Sequence, residues 1–215
     1  MKNDLKSKLD NKPELQKHLF EKGFLITDAE TGELKAYPFY GNWDKYRIGE
    51  YNVLVYKSAP IHVYKDAERY FFLIGHAYDP FTMDASEESI LKALAERSKE
   101  TLDWELINEL TGIFVMGVIS GSRISFWPDA SAMQYACYGT VAGKQYISSH
   151  MQLIGDICGL EQDDYVKRLV GYKWYHYMMG NYMPGDITCF SELKRLVPNT
   201  AVHFDGAAYS VERIY

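Results

Sequence analysis

The stretch Arg69–Pro80, RYFFLIGHAYDP, sets a histidine and an aspartate three residues apart, just beyond an apolar run and a glycine. His76 and Asp79 at a strand end would suit acid–base chemistry, because an imidazole titrates near neutrality and a carboxylate can orient it. A turn histidine that happens to lie near an aspartate is the plainer reading. Cys137 is a second candidate, but it falls between Tyr135 and Tyr138 in a strand-like run, where a thiol packs as a small hydrophobe. The three cysteines, at 137, 158 and 189, form no CxxC pair and read as reduced thiols. The six histidines make no HxH or HxxxH spacing, so neither a metal nor any other cofactor is expected. Ser120-Gly121-Ser122 lacks the further glycine and the Asp-Ser pair that a phosphate grip needs, and reads as a hairpin turn.

The segment Tyr172–Met183, YKWYHYMMGNYM, concentrates aromatic and Met side chains. At helical spacing Trp174, Tyr177 and Met178 share one face, and Leu169, Tyr172 and His176 another. Core packing followed by a loop accounts for this composition; a partner-docking patch, for which such residues are also favoured, is the alternative.

The surrounding elements must position these groups. A helix is expected near the N-terminus, capped by Asn11, with Pro13 in its first turn and Gly23 as its stop. Two short strand-like runs flank the turn cluster Asp28–Gly32. EYNVLVYK alternates as a strand, and the segment from Ile61 to Tyr78 folds back at Asp66-Ala67-Glu68 as a hairpin. Asp84 with Glu87 forms a capping box for a helix whose stripe is Ile90, Leu91 and Leu94. A short helix, DWELINEL, precedes two strands joined at Gly121-Ser122; two more strands and a helix over HMQLIGDICGL follow. One continuous helix is expected from Asp163 to Gly180, then a closing hairpin over Gly206. Strands and helices come in blocks, which indicates α+β layers.

Hydrophobic residues at 47% and charged residues at 24% fit a globular chain, and a net charge of −6 offers no basic footprint for nucleic acid. No apolar run is long enough to span a bilayer, and MKNDLKSKL lacks a signal-peptide core, so a cytoplasmic protein without membrane contact is expected.

ELTGIFVMGVISGSRISFWPD, with its Leu-x-Gly-x-Phe strand, hairpin and closing Asp129, resembles the glutaminase domain of asparagine synthetases. GHAY followed by ESIL, then YISSHMQLI and ITCFSELKRLVPNTAVHFDG, are similar to other segments of that domain in the same order. The resemblance spans roughly residues 50 to 215 and points to the class II glutamine amidotransferases, in degenerate form. It implies an α+β, four-layer α/β/β/α N-terminal-nucleophile hydrolase-like sandwich of two antiparallel sheets with outer helices. An N-terminal helical extension over residues 1–22 would precede a glutaminase-like domain over 23–215.

In that family an N-terminal cysteine attacks the glutamine amide and its own α-amine serves as base. An Asn-Gly pair stabilises the oxyanion, and an Arg and an Asp hold the substrate's charged ends. Here Lys2 follows the initiator, so removing Met1 exposes no nucleophile. The first strand begins near Phe24 with its nitrogen in a peptide bond. Gly75 matches the oxyanion glycine, but Ile74 stands where the Asn belongs, and losing one such donor costs about 2.7–4 kcal/mol in the transition state. Ser86 falls at the Asp position and Lys57 nearest the Arg, offering charge without a bidentate fork. The remnant pocket is therefore Lys57, Ile74, Gly75, His76 and Ser86, with no catalytic residue. The resemblance implies a catalytically inactive domain that partners, or forms the N-terminal module of, an ATP-dependent amide-forming synthetase; a homo-oligomer is compatible with it. Two alternatives stand beside this reading. One is a glutamine hydrolase activated by cleavage, with Thr27 as the nearest nucleophile. The other is a small-molecule binding module that reuses the old pocket.

Overall fold

Strand β5, Arg69–Tyr78, builds two layers at once. Phe72 and Ile74 point to one face of its sheet and Phe71, Leu73 and Ala77 to the other, and both sets are buried. A strand apolar on both faces belongs in the middle of a layered structure. The computed structural model describes residues 11–30, 42–83, 86–180 and 182–214. Their strands are β1 (Phe24–Thr27), β2 (Trp43–Ile48), β3 (Tyr51–Tyr56), β4 (Ile61–Asp66), β5, β6 (Thr111–Ser120) and β7 (Arg123–Pro128). After these come β8 (Cys137–Val141), β9 (Lys144–Ser148), β10 (Leu193–Arg195), β11 (Thr200–Asp205) and β12 (Ala208–Arg213).

Among the described residues these make two six-stranded sheets, ordered β10-β8-β9-β1-β3-β2 and β12-β11-β7-β6-β5-β4, with every neighbouring pair antiparallel. Between the sheets lies a core that includes Phe24, Val53, Phe72, Val115, Phe126 and Phe204. Outside the second sheet, α1 (Glu87–Arg97) and α2 (Trp104–Glu109) cover Leu73, Met116 and Trp127. Outside the first, α3 (Met151–Cys158) sets Leu153 and Ile154 against Leu25, Leu54 and Cys137. The four-layer α+β sandwich of two antiparallel sheets with outer helices is thus the observed architecture.

Several elements depart from expectation. Among the described residues, Asn11 is itself helical and does not cap the stretch after it, which forms only a short 3₁₀ segment, Pro13–His18, followed by turns in which Phe20 and Lys22 adopt positive φ. Helix α1 is capped by Ser86, whose hydroxyl accepts the Ser89 N–H; Asp84, the expected cap, lies outside the described residues. So does the strand-like run expected after Gly32, from Glu33 to Pro38. Strand β2 was not foreseen, since Asp44, Lys45 and Arg47 break an apolar pattern that an exposed edge strand does not need. The expected helix from 163 to 180 is two, α4 (Asp164–Gly171) and α5 (Tyr175–Met179). The chain turns extended at Tyr172, where Gly171 and a run of weak helix formers give it little reason to continue.

The hairpin turns β2–β3, β6–β7, β8–β9 and β11–β12 gather at one end of the sandwich. The Tyr51 hydroxyl lies 2.7 Å from both Ser122 C=O and Gln145 Oε1, and the Gln145 amide donates to Gly206 C=O. Thr140 Oγ1 donates to Ala207 C=O at 2.8 Å. These bonds tie the two sheets together, and burial pushes the Tyr51 phenol well above its usual range. The start of β1 and the finish of β5 therefore share the opposite end.

Candidate functional site

At that opposite end, at the start of β1, the resemblance read from the sequence would expect a nucleophile. The chain presents Gly23-Phe24 there, an ordinary peptide linkage. Phe24 N–H donates to Ser149 Oγ at 2.8 Å, and Phe24 C=O accepts from Ser148 Oγ at 2.8 Å and from Ser149 N–H at 3.2 Å. Gly23 C=O accepts the Tyr56 N–H. A β-carbon on Gly23 would lie 2.7 Å from Phe20 C=O and 3.0 Å from both Ser149 Oγ and His150 Nδ1, so no side chain fits without displacing these groups.

Ser149 Oγ also lies 2.8 Å from His150 Nδ1, and Phe20 packs on the imidazole with 5.2 Å between ring centroids. Burial lowers the His150 pKa, which keeps the ring neutral near pH 7. A neutral ring protonated at Nε2 takes the serine proton at Nδ1. A hydroxyl beside a neutral imidazole has the ingredients of a nucleophile and base. Yet Ser149 is buried and its oxygen already accepts the Phe24 amide. The pair fastens the head of β1. The triplet Ser148-Ser149-His150, at the end of β9, was the only signal of it in the sequence.

Gly75 does not offer an open oxyanion donor. Its N–H donates to Pro60 C=O at 3.0 Å, and it sits in the ladder opposite Phe114 with φ of 112°. Ile74 is packed between the sheets. Lys57 follows β3 at the same end as Gly23 and is exposed; its N–H donates to Asn42 C=O. Ser86 serves as the α1 cap, three positions before the N–H it binds. Of the expected pocket, Ile74, Gly75 and His76 are neighbours in one strand, and His76 reaches the first turn of α1 beside Ser86.

The His76–Asp79 pair does not form. Asp79 is folded onto its own turn, accepting from Phe81 N–H, Thr82 N–H and Thr82 Oγ1; the Thr82 hydroxyl is the main reason its pKa falls. His76 Nδ1 instead lies 3.0 Å from Glu87 Oε1, and His62 Nε2 lies 3.8 Å from Glu87 Oε2. Burial would raise the Glu87 pKa, but the His76 hydrogen bond and the neighbouring positive character outweigh it, and the net shift is downward. The cluster links β4 and β5 to the helix that covers them. Among the described residues no set of three His, Cys, Asp or Glu side chains is arranged to hold a metal ion.

Asp129 organises the loop after β7, accepting N–H groups from Ser131, Met133 and Gln134. Cys137 is fully buried, and burial drives its thiol far above the range in which a reactive thiolate forms. Thr27 is buried in β1 and accepts the Ala29 N–H. Trp174, Tyr177 and Met178 stand out from α5 and its cap, with Tyr177 83% exposed, while Tyr175 is buried and donates its hydroxyl to Tyr182 C=O at 2.6 Å.

Solved structures share this architecture. Glutamine phosphoribosylpyrophosphate amidotransferase from B. subtilis, complexed with ADP and GMP, is similar with a TM-score of 0.52 at 9% identity, over 94% of this chain and 45% of that one. A structure described as the allosteric regulatory enzyme of purine biosynthesis gives 0.51 at 11% identity, over 94% of this chain and 44% of that one. The chain spans less than half the length of either, and at these identities the likeness is one of fold. That fold is the two-sheet sandwich of class II glutamine amidotransferases. No protein-family model matches the sequence, and no curated protein sequence does. No helix among the described residues is long and apolar enough to cross a membrane.

Proposed function

We propose that this chain is a catalytically inactive glutaminase-like domain of the asparagine synthetase type, a cytoplasmic protein that serves an ATP-dependent amide-forming synthetase as partner or N-terminal module. The observation that carries this reading is the state of the two nitrogen atoms the chemistry needs. The nitrogen at the head of β1 is an amide bound to Ser149, where an amidotransferase requires a free amine beside a thiol. The Gly75 nitrogen, the remaining oxyanion donor, is spent on Pro60 C=O.

In this reading residues 23–215 form the glutaminase-like domain and residues 1–22 an N-terminal extension, of which Phe20 packs on His150 at the β1 head. Trp174, Tyr177 and Met178 form the face that meets the synthetase; aromatic and Met side chains are favoured at the desolvated centre of such contacts. Roles in the biosynthesis of peptides or surface polysaccharides rest on fold-level analogy.

Intact-mass measurement combined with an ammonia-release assay on glutamine tests the proposal. The expected result is an untrimmed β1 head and no ammonia above the buffer rate. Ammonia release that disappears in Ser149→Ala or Thr27→Ala, or a mature chain beginning at Thr27, would overturn it.

A further inference from the structure

A sheet edge presents a row of unpaired N–H and C=O groups, and proteins commonly blunt such edges with charge, brevity or a covering element. Among the described residues three of the four edges follow that rule. Strand β10 has three residues. Strand β2 carries Asp44, Lys45 and Arg47. Strand β4 packs under α1 and ends in Lys65 and Asp66. Strand β12 follows it least: its charges, Glu212 and Arg213, stand only in its last two positions, and it is neither short nor covered. Its six residues, AYSVER, are all exposed, contain no Lys, Pro or Gly, and pair one-to-one with β11 without a bulge.

The hairpin fixes which backbone groups of β12 face outward. Its turn is Gly206-Ala207, closed by the Asp205–Ala208 pair. In a two-residue hairpin the closing pair exchanges both hydrogen bonds, and bonded pairs recur at every second residue. Ser210 and Glu212 therefore bond back to His203 and Ala201. Ile214, next in the same phase, donates its N–H to Asn199 C=O at 3.0 Å. Tyr209, Val211 and Arg213 are left with N–H and C=O directed away from the sheet. Their side chains lie on the inner face, where Tyr209 meets Phe204 and Tyr138 at 5.3 Å each and Val211 is 50% exposed.

We infer that β12 pairs antiparallel with β12 of a second copy of this chain, joining two six-stranded sheets into one continuous sheet. Such a pair needs a two-fold axis normal to the sheet, which keeps both inner faces on the same side. Centring the pair on Glu212 or Arg213 sets like charges against each other. Centring it on Ser210 wastes the outward groups of Arg213 on the turn. Centring it on Val211 uses all three outward residues. Val211 faces its own copy, Tyr209 faces Arg213 of the second copy in a cation–π arrangement, and Ser210 faces Glu212. No like charges meet. That self-complementarity singles out a second copy as the occupant.

Sedimentation velocity across a concentration series tests the pairing, beside Val211→Lys and Val211→Pro. The lysine variant sets charge against charge at the centre of the pair. The proline variant deletes an N–H that the hairpin does not use, the position at which edge strands accept proline. The expected result is a reversible dimer that each variant weakens roughly tenfold or more, with unchanged near-ultraviolet circular dichroism. On the unmodified chain, hydrogen exchange at the amides of Tyr209, Val211 and Arg213 slows as concentration rises. A monomer at every concentration, a dimer indifferent to Val211→Lys, or fast exchange at those three amides under dimerising conditions would overturn the inference, as would occupation of β12 by a different protein's strand.

Discussion

Replacing Ser149 by alanine separates a fastener from a remnant nucleophile. The substitution opens almost no cavity, so the cost is that of the lost hydrogen bonds. Phe24 N–H, bonded at 2.8 Å in a fully buried strand, loses its acceptor, and leaving such a donor unsatisfied costs about 1–3 kcal/mol. The contact from Ser149 Oγ to His150 Nδ1, also 2.8 Å, is half-buried, and its loss adds roughly 0.5–1.5 kcal/mol. The sum is about 1.5–4.5 kcal/mol, which for a chain of this length lowers Tm by roughly 3–18 °C. Differential scanning calorimetry on the parent, Ser149→Ala and Ser149→Thr measures it, with threonine recovering much of the loss by keeping the hydroxyl. A Tm for Ser149→Ala within about one degree of the parent would refute the reasoning, because Phe24 N–H would then have found another partner.

Two further outcomes follow from the same end of the sandwich. Gly75→Ala sets a β-carbon 2.2 Å from Ile113 C=O at a φ of 112°, so urea denaturation should show a loss of roughly 3 kcal/mol or more, without any change in ammonia release. The folded-state pKa of Glu87 is depressed, so its stabilisation is complete above the ordinary glutamate range near 4.5 and drains away as pH falls below it. Glu87→Gln should therefore flatten the fall in Tm between about pH 5 and pH 3, and an unchanged acid slope would remove the His76–Glu87 bond from the account.

The strands with alternating or doubly apolar patterns were legible because burial writes directly into residue type. The β5–β6 pair, with Phe71 to Ile74 against Val115 to Val118, is the clearest case. Strand β2 escaped notice because an edge strand buries only its terminal residues, Trp43 and Ile48. The aromatics after Gly171 concealed the break between α4 and α5, since helical periodicity continues across it on paper. The candidate site was less legible still. The bond from Phe24 to Ser149 joins residues 125 apart in sequence, and Glu87 meets His62 and His76 only because the sheet brings them under α1. Spacing in the sequence suggested a His76–Asp79 pair instead, and local turn bonding claimed Asp79 first.

Strand β1 lies inside its sheet, flanked by β3 on one side and β9 on the other. A ribosome finishes β1 and β3 long before β9 exists. For more than a hundred residues of synthesis one flank of Phe24-Leu25-Ile26-Thr27 has no partner, although all four side chains are buried in the finished protein. Non-local pairing of this kind slows folding and leaves an apolar strand available for wrong associations. The first of the described strands to be made is thus among the last to be enclosed, and the nascent chain depends on whatever shields that segment until Ser148 and Ser149 arrive to close it.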